Sequence, residues 1–271
     1  MKYIGIDLGG TNVRAGVVNE SGEIVSQDSM PCNSGGTENE VLEQIFSLVD
    51  GLDSPEVAGI GVGVPSVVDS ENGIVYNAAN IPSWKEVHLK EILEKRYGKK
   101  VAINNDANCF SLGVSRFGEA KGVGSVVCAT LGTGVGSTLV IDGKIFNGHN
   151  TGAGEIGSIP YLEHDYEYYC SSRFFIDAGT TGKEAAAKGP GPVWDRFGSH
   201  VGDLVKLILF AFDPEMIVLG GSIAKAYGLF EESMWRVVET FPYPATVKRL
   251  RIVPTNMESA GLIGAACLVM D

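Results

Sequence analysis

A glycine turn that occurs twice constrains this chain more than any other feature. Asp7-Leu8-Gly9-Gly10-Thr11 follows the apolar run Tyr3-Ile4-Gly5-Ile6, and an altered copy, Leu131-Gly132-Thr133-Gly134, follows Ser125 to Thr130. In each copy a β-type run delivers the chain into a turn whose glycines let backbone N–H groups approach an anion closely. The threonine hydroxyl adds a donor. Past the first turn the chain continues as Asn12-Val13-Arg14-Ala15-Gly16-Val17-Val18, a second β-rich run. The spacing therefore predicts a strand-turn-strand hairpin, unlike the strand-loop-helix of a Walker loop or a dinucleotide fold. No GxxxxGK[ST] string occurs. Two such turns suggest two grips on one polyphosphate.

The elements around the turns repeat as well. Tyr3 to Asp7, Asn12 to Asn19 and Glu23 to Ser29 read as a three-strand meander. Thr37-Glu38-Asn39-Glu40 is a capping box, opening a helix that buries Val41, Ile45, Leu48 and Val49 and ends near Gly51. Val57 to Val64 reads as a buried strand, Val87 to Tyr97 as a charged helix closed by Gly98, Lys100 to Asn104 as a strand, and Asp106 to Phe117 as a helix ending at Gly118. In the second half Ser125 to Thr130, Gly136 to Ile141 and Lys144 to Phe146 repeat the meander, with Asp142-Gly143 as a hairpin turn. A helical stripe from Phe197 to Phe212 stops at Asp213-Pro214. A strand over Glu215 to Leu219, a helix over Ile223 to Glu239, a strand over Arg249 to Val253 and a last helix from Glu258 complete the order. Both halves read βββαβαβα.

Composition excludes several partners. The 271 residues hold 21 Lys and Arg against 33 Asp and Glu, a net charge of −12, which repels nucleic-acid phosphate and anionic lipid. A bound phosphate must then be held by backbone, metal and local cations. The five cysteines, Cys32, Cys109, Cys128, Cys170 and Cys267, are scattered without a CxxC pair, as expected for reduced thiols in a cytoplasmic protein. No apolar run reaches membrane-spanning length, and the N-terminus has no signal-peptide pattern.

Six strings in order carry a resemblance: Asp7-Leu8-Gly9-Gly10-Thr11, Gly63-Val64-Pro65-Ser66, Asn105-Asp106-Ala107-Asn108, Leu131-Gly132-Thr133-Gly134-Val135-Gly136, Ala153-Gly154-Glu155-Ile156-Gly157 and Val218-Leu219-Gly220-Gly221. Together they resemble the ROK family of sugar kinases and repressors over nearly the whole chain. The resemblance implies a duplicated actin-like, hexokinase-like α/β ATPase fold, with two lobes and ATP and sugar in a central cleft. The lobes are expected at 1–105 plus 257–271, with the first phosphate hairpin and sugar-binding elements, and at 106–256, with the second phosphate turn and the adenosine elements. Phosphoryl transfer needs positioning and charge neutralisation more than covalent chemistry. On the family pattern Asp7 holds Mg²⁺ through water, Gly9, Gly10, Thr11 and Asn12 embrace phosphates of ATP, and Gly132, Thr133 and Gly134 form the opposing clamp. Gly220, Gly221 and Ser222 fall to adenosine, although Gly220-Gly221 alone reads equally as a strand exit.

Asp106 is the expected catalytic base, accepting the proton of the attacking sugar hydroxyl, with Asn105 fixing the sugar. From the residues alone, Asn105 or Asp106 can equally cap the following helix, and one residue can cap and catalyse together. Glu155, Ser66 and Asn80 are further sugar-side candidates. The four histidines, His88, His149, His164 and His200, have no spacing that marks a catalytic pair.

The chain also departs from the family. Many members continue AGExGH into CxCGxxGCxE, whose His and three Cys bind zinc and whose last Glu joins the sugar. The four ligand positions here are Ser158, Tyr168, Cys170 and Phe175, and one thiol cannot build a tetrahedral zinc site. No structural zinc is expected, and aromatic packing by Tyr168 and Phe175 is expected to anchor the loop instead. Asp177 replaces the second sugar carboxylate, one methylene shorter, and Ser158 replaces an imidazole that touches the sugar. The expected reaction is ATP- and Mg²⁺-dependent phosphorylation of a hexose, with glucose at C6 as first choice and an N-acetylhexosamine, such as N-acetylmannosamine, or fructose as alternatives. A sugar-sensing regulator is the alternative of another class. The family's repressors carry an N-terminal helix-turn-helix, for which a first strand at residue 2 leaves no room. A homodimer is the oligomer the resemblance favours.

Overall fold

The first glycine turn closes an antiparallel hairpin. In a computed structural model describing residues 1–78, 80–149 and 152–270, β1 (Lys2–Leu8) pairs with β2 (Asn12–Asn19), and β2 pairs with β3 (Ile24–Pro31). The helix α1 (Glu38–Leu52) opens on the Thr37–Glu40 capping box, both of whose reciprocal bonds form. It returns the chain to β4 (Val57–Val64), which lies parallel to β1. Next comes an antiparallel three-stranded sheet of β5 (Val67–Asp69), β6 (Ile74–Tyr76) and β7 (Glu86–Val87). Val87, expected to open a helix, is buried in this sheet, so α2 (Leu89–Tyr97) begins later and ends on left-handed Gly98, φ 62°. Then β8 (Lys100–Asn105) runs parallel to β4, completing the order β3-β2-β1-β4-β8, and α3 (Asp106–Phe117) follows without a loop.

The second meander is β9 (Ser125–Leu131), β10 (Val135–Ile141) and β11 (Lys144–Ile145). Asp142 and Gly143 turn the β10–β11 hairpin with φ of 49° and 73°, the left-handed pair that a two-residue hairpin loop requires. A segment not legible as elements in the sequence follows: β12 (Pro160–Tyr161), β13 (His164–Asp165), α4 (Tyr166–Cys170), α5 (Ser172–Asp177) and α6 (Gly182–Lys188). After α7 (Pro192–Phe212) come β14 (Met216–Gly220), α8 (Gly221–Ala224), α9 (Glu231–Val238), α10 (Pro244–Arg249), β15 (Arg251–Pro254) and α11 (Ala260–Cys267). The sheet order β11-β10-β9-β14-β15 repeats that of the first half. The continuous helix expected over 223–239 is broken into α8, a short 3-10 helix (Tyr227–Leu229) and α9. The break turns Tyr227 and Phe230 inward, with the Phe230 ring 5.3 Å from that of Phe197. Burying such a ring is worth about 1.5–3 kcal/mol, more than the helical turn that Gly228 would in any case weaken.

The chain divides into two compact units, Met1–Lys121 with Asn147–Ala153 and Met257–Asp271, and Gly122–Phe146 with Gly154–Asn256. The first boundary falls after Lys121 and not after Asn105, so α3 belongs with the first unit. The reason is α11: a Cβ on Gly113 of α3 would collide with the carbonyl oxygen of Ala260, so the two backbones approach closer than side chains allow. Each unit has its own core, built on Ile4, Ile6, Ile45 and Ile60 in the first and on Phe175, Trp194, Phe197 and Phe230 in the second.

Candidate active site

Register brings the acidic candidates of the first unit to one edge. Asp7 on β1 pairs with Gly63 on β4, and Gly63 pairs with Asn104 on β8. Parallel strands end together, so Asp7, the Gly63–Ser66 turn, Asn105 and Asp106 share the carboxyl edge where open α/β sheets bind ligands. Burial pushes the Asp7 carboxyl above its ordinary value, and the Arg14 charge opposes that shift without cancelling it. A divalent cation would remove the penalty, so Asp7 fits Mg²⁺. In the adjoining turn the Gly9 N–H donates to the Asn12 carbonyl at 2.9 Å, and the Cys32 N–H donates to that of Thr11 at 2.8 Å. A Cβ on Gly10 would stand 2.5 Å from Cβ of Asn80, which places Asn80 over the turn. Thr11 and Asn12 are exposed.

Asn105 caps α3. Its side-chain oxygen accepts from the N–H groups of Ala107 (2.9 Å) and Asn108 (3.4 Å), while its Nδ2 donates to the Ser66 carbonyl at 3.2 Å. Ser66 in turn donates its hydroxyl to the Tyr76 carbonyl. Asp106, the first residue of α3, accepts from the Ala107 N–H at 2.8 Å through Oδ1. Cys109 is fully buried below; its thiol is pushed well up by burial first, then by the charges of Asp106 and Asp7. Both carboxylate charges therefore act on the same buried thiol. Behind them lies an amide network absent from the sequence expectations: Asn104 Oδ1 accepts from the Asn105 N–H and from Asn108 Nδ2, both at 2.8 Å, and Asn147 Oδ1 accepts from Asn104 and Asn108, both at 3.3 Å. The i, i+4 spacing of Asn104 and Asn108 signals their pairing; nothing in the sequence marks Asn147.

The second unit sets its own candidates at the carboxyl edge of its sheet. Gly132 N–H donates to the Gly134 carbonyl at 3.0 Å within the β9–β10 turn. Gly220 pairs with Thr130, and Gly221 has φ 87° with a Cβ position blocked by the Leu131 carbonyl. Ser222 Oγ lies 3.8 Å from the Cβ position of Gly132, so the two glycine turns are neighbours. That backbone cradle fits a nucleoside polyphosphate. Glu155 precedes a 3-10 helix (Ile156–Ser158) that ends on Ser158, and both residues are exposed. Left-handed Gly154, φ 98°, presses that segment onto β10, where its carbonyl accepts from the Ser137 hydroxyl. Asp177 ends α5, exposed, and hydrogen-bonds the Tyr168 hydroxyl, whose pKa is raised by desolvation first and then by this carboxylate.

The four positions expected to lack zinc do not fit the metal. Phe175 is fully buried, its ring centroid 4.9 Å from both Trp194 and Phe197, and Cys170 is fully buried with its thiol pushed far up by desolvation. Tyr168 stacks on His164 at 3.9 Å. Around them Tyr161 stacks on Tyr166 at 4.3 Å, meets Tyr169 edge-on at 5.4 Å, and donates its hydroxyl to Asp203 at 2.7 Å. Among the described residues no three His, Cys, Asp or Glu side chains gather to hold a metal. No helix there is long and apolar enough to cross a membrane.

Known proteins are similar to this chain over nearly its whole length. A glucokinase of Thermotoga maritima is 32% identical over 320 aligned positions, covering 100% of this chain and 98% of its own. An N-acetyl-D-glucosamine kinase of Vibrio cholerae is 32% identical, covering 98% and 99%. The crystal structure of a ROK family glucokinase from Streptomyces griseus, in complex with glucose and AMPPNP, superposes with a TM-score of 0.82 at 27% identity over 99% of each chain. The sequence matches the ROK family over residues 3–183 and 169–271, and on that match and those full-length relatives the chain belongs to the ROK family.

Proposed function

We propose that this chain is a hexose kinase that moves the γ-phosphoryl group of ATP to a sugar hydroxyl, with glucose at C6 as its first substrate. The observation that carries the reading is the convergence of Asp7 and Asp106 at one sheet edge, next to a glycine turn, in a chain whose relatives are glucokinases. Asp106 takes the hydroxyl proton as the sugar oxygen bonds to phosphorus and the bond to ADP breaks. Asn105 caps the helix, sharing the Ala107 N–H with Asp106 Oδ1 and taking that of Asn108 alone. Asp7 would hold Mg²⁺, which supplies charge neutralisation on the phosphates when bound. Gly9, Gly10, Thr11, Asn12, Gly132, Thr133 and Gly134 would hold the phosphates through backbone donors and three side chains, the hydroxyls of Thr11 and Thr133 and the amide of Asn12. Gly220, Gly221 and Ser222 would take adenosine. Ser66, Asn80, Asn105, Glu155, Ser158 and Asp177 would take the sugar.

An N-acetylhexosamine is the second reading, favoured by the Vibrio cholerae relative and by the short side chains of Ser158 and Asp177, which leave room for an added acyl group. A cytoplasmic homodimer is the working form we infer from the family. The test is ADP release from Mg²⁺-ATP across glucose, mannose, fructose, N-acetylglucosamine and N-acetylmannosamine, with Asp106→Asn in parallel. Release stimulated by glucose and lost in the variant supports the reading. Equal ADP release with every sugar and with none overturns it.

A further inference from the structure

A carboxylate lies against the end of the second glycine turn. Glu167, in α4, accepts from the Val135 N–H at 3.1 Å through Oε2. The same oxygen would be 2.5 Å from a Cβ on Gly134, so the carboxylate rests in the space that the glycine leaves and would have to shift if that position carried a side chain. Ser172 ties the start of α5 to the same turn: its N–H donates to the Gly132 carbonyl at 2.8 Å and its hydroxyl to that of Thr133 at 3.4 Å. The next residue is Arg173, whose Nη2 lies 3.9 Å from Glu167 Oε1, with side chains 59% and 34% exposed. In a chain of net charge −12, a guanidinium fastened beside a phosphate turn is a scarce asset.

We propose that Glu167 is the resident anion of the Gly132–Gly134 turn and that Arg173 is a phosphate-binding residue, which a nucleotide polyphosphate takes over from Glu167. This rests on the reading of that turn as a phosphate clamp. The carboxylate satisfies the turn's outward N–H in the free enzyme, holds its backbone in the conformation an oxyanion needs, and repels an incoming polyphosphate. Arg173 pairs with whichever anion is present, and its planar fork suits a phosphate better than the single distant contact it makes with Glu167. Glu167 is a positioning residue, so its effect falls on nucleotide affinity.

The test measures AMPPNP binding with Mg²⁺ by calorimetry, and KM for ATP and for the sugar, in Glu167→Gln, Arg173→Met and Arg173→Lys. Glu167→Gln keeps an acceptor for Val135 and removes the charge, so nucleotide binding tightens about three- to tenfold while the sugar KM stays put. Arg173→Met weakens nucleotide binding about tenfold, and Arg173→Lys recovers part of the loss. Unchanged or weaker AMPPNP binding in folded Glu167→Gln overturns the proposal, and so does Arg173→Met binding as tightly as the parent. Tighter binding in Glu167→Gln without sugar-stimulated turnover in the parent would defeat the hexose reading and leave this one standing. Sugar-stimulated turnover with AMPPNP affinity unmoved by Glu167→Gln would do the reverse.

Discussion

Asn105 settles which of two adjacent residues serves the helix. Its side chain accepts from Ala107 and Asn108, so Asp106 is not needed as the cap, although Asp106 also accepts from Ala107. The two roles can be separated by mutation. Asp106→Asn keeps an acceptor for the Ala107 N–H and loses the proposed base, so kcat should fall about 10²–10⁴-fold while the thermal midpoint holds; a variant retaining a tenth of the activity would remove Asp106 from that role. Asn105→Ala removes the cap and the donor to Ser66, costing about 1 kcal/mol of stability by denaturant titration, whereas Asn105→Asp keeps the cap and loses only the donor. The Ser66 hydroxyl is committed to Tyr76, so its reach toward a sugar depends on that bond opening. These distinctions lie below the resolution of sequence, where Asn105 and Asp106 are equally good cap residues.

Elements stabilised by local rules were legible in the sequence. The Thr37–Glu40 capping box, the Asp142-Gly143 turn and the left-handed Gly98 each form through contacts within a few residues, and each appears as expected. What was not legible depends on distant partners: the β5–β7 sheet, the small elements between Pro160 and Lys188, and the break at Gly228 that lets Phe230 reach Phe197. The aromatic cluster of the second unit shows the cost of such dependence. His200 faces the rings of Tyr161, Tyr169 and Phe174, with Asp203 and Arg196 as its charged neighbours. Burial lowers its pKa below the ordinary 6.5, Asp203 opposing and Arg196 adding to the shift. The fold thus prefers neutral His200, and the unfolded chain binds the proton more readily. Stability from this residue is present above pH 6.5 and is lost as pH falls from there through the folded-state pKa. The thermal midpoint should drop on acidification over that window, and less in His200→Gln; an identical pH dependence in the two would remove His200 as the cause. The ring is only partly buried, so solvent screening keeps this a modest slope.

At the scale of the whole molecule, duplication and compactness follow different lines. The two sheets share one strand order, and α3 and α11 are the closing helices of the two halves, yet both pack in the first unit. A duplicated sequence therefore predicts the sheets well and the unit boundary poorly, since the boundary is decided by where glycine-lined helices meet. The same separation applies to metals. The metal we propose for this molecule is the one Asp7 would hold for the reaction, and no role in holding the chain together is assigned to a metal. A structural zinc contributes about 10–16 kcal/mol, so removing one would unfold the second unit, whereas Phe175, Trp194, Phe197 and the stacked tyrosines supply that anchoring through apolar burial. EDTA should abolish sugar-dependent ADP release, and excess Mg²⁺ alone should restore it, while the thermal midpoint of the ligand-free protein stays where it was. A midpoint that falls with EDTA and recovers with zinc, accompanied by stoichiometric zinc in elemental analysis, would show that the aromatic cluster does not carry that load. Phe175→Ala provides the converse, since truncating a fully buried ring costs about 3–5 kcal/mol and should unfold the segment bearing Asp177 with metal present or absent.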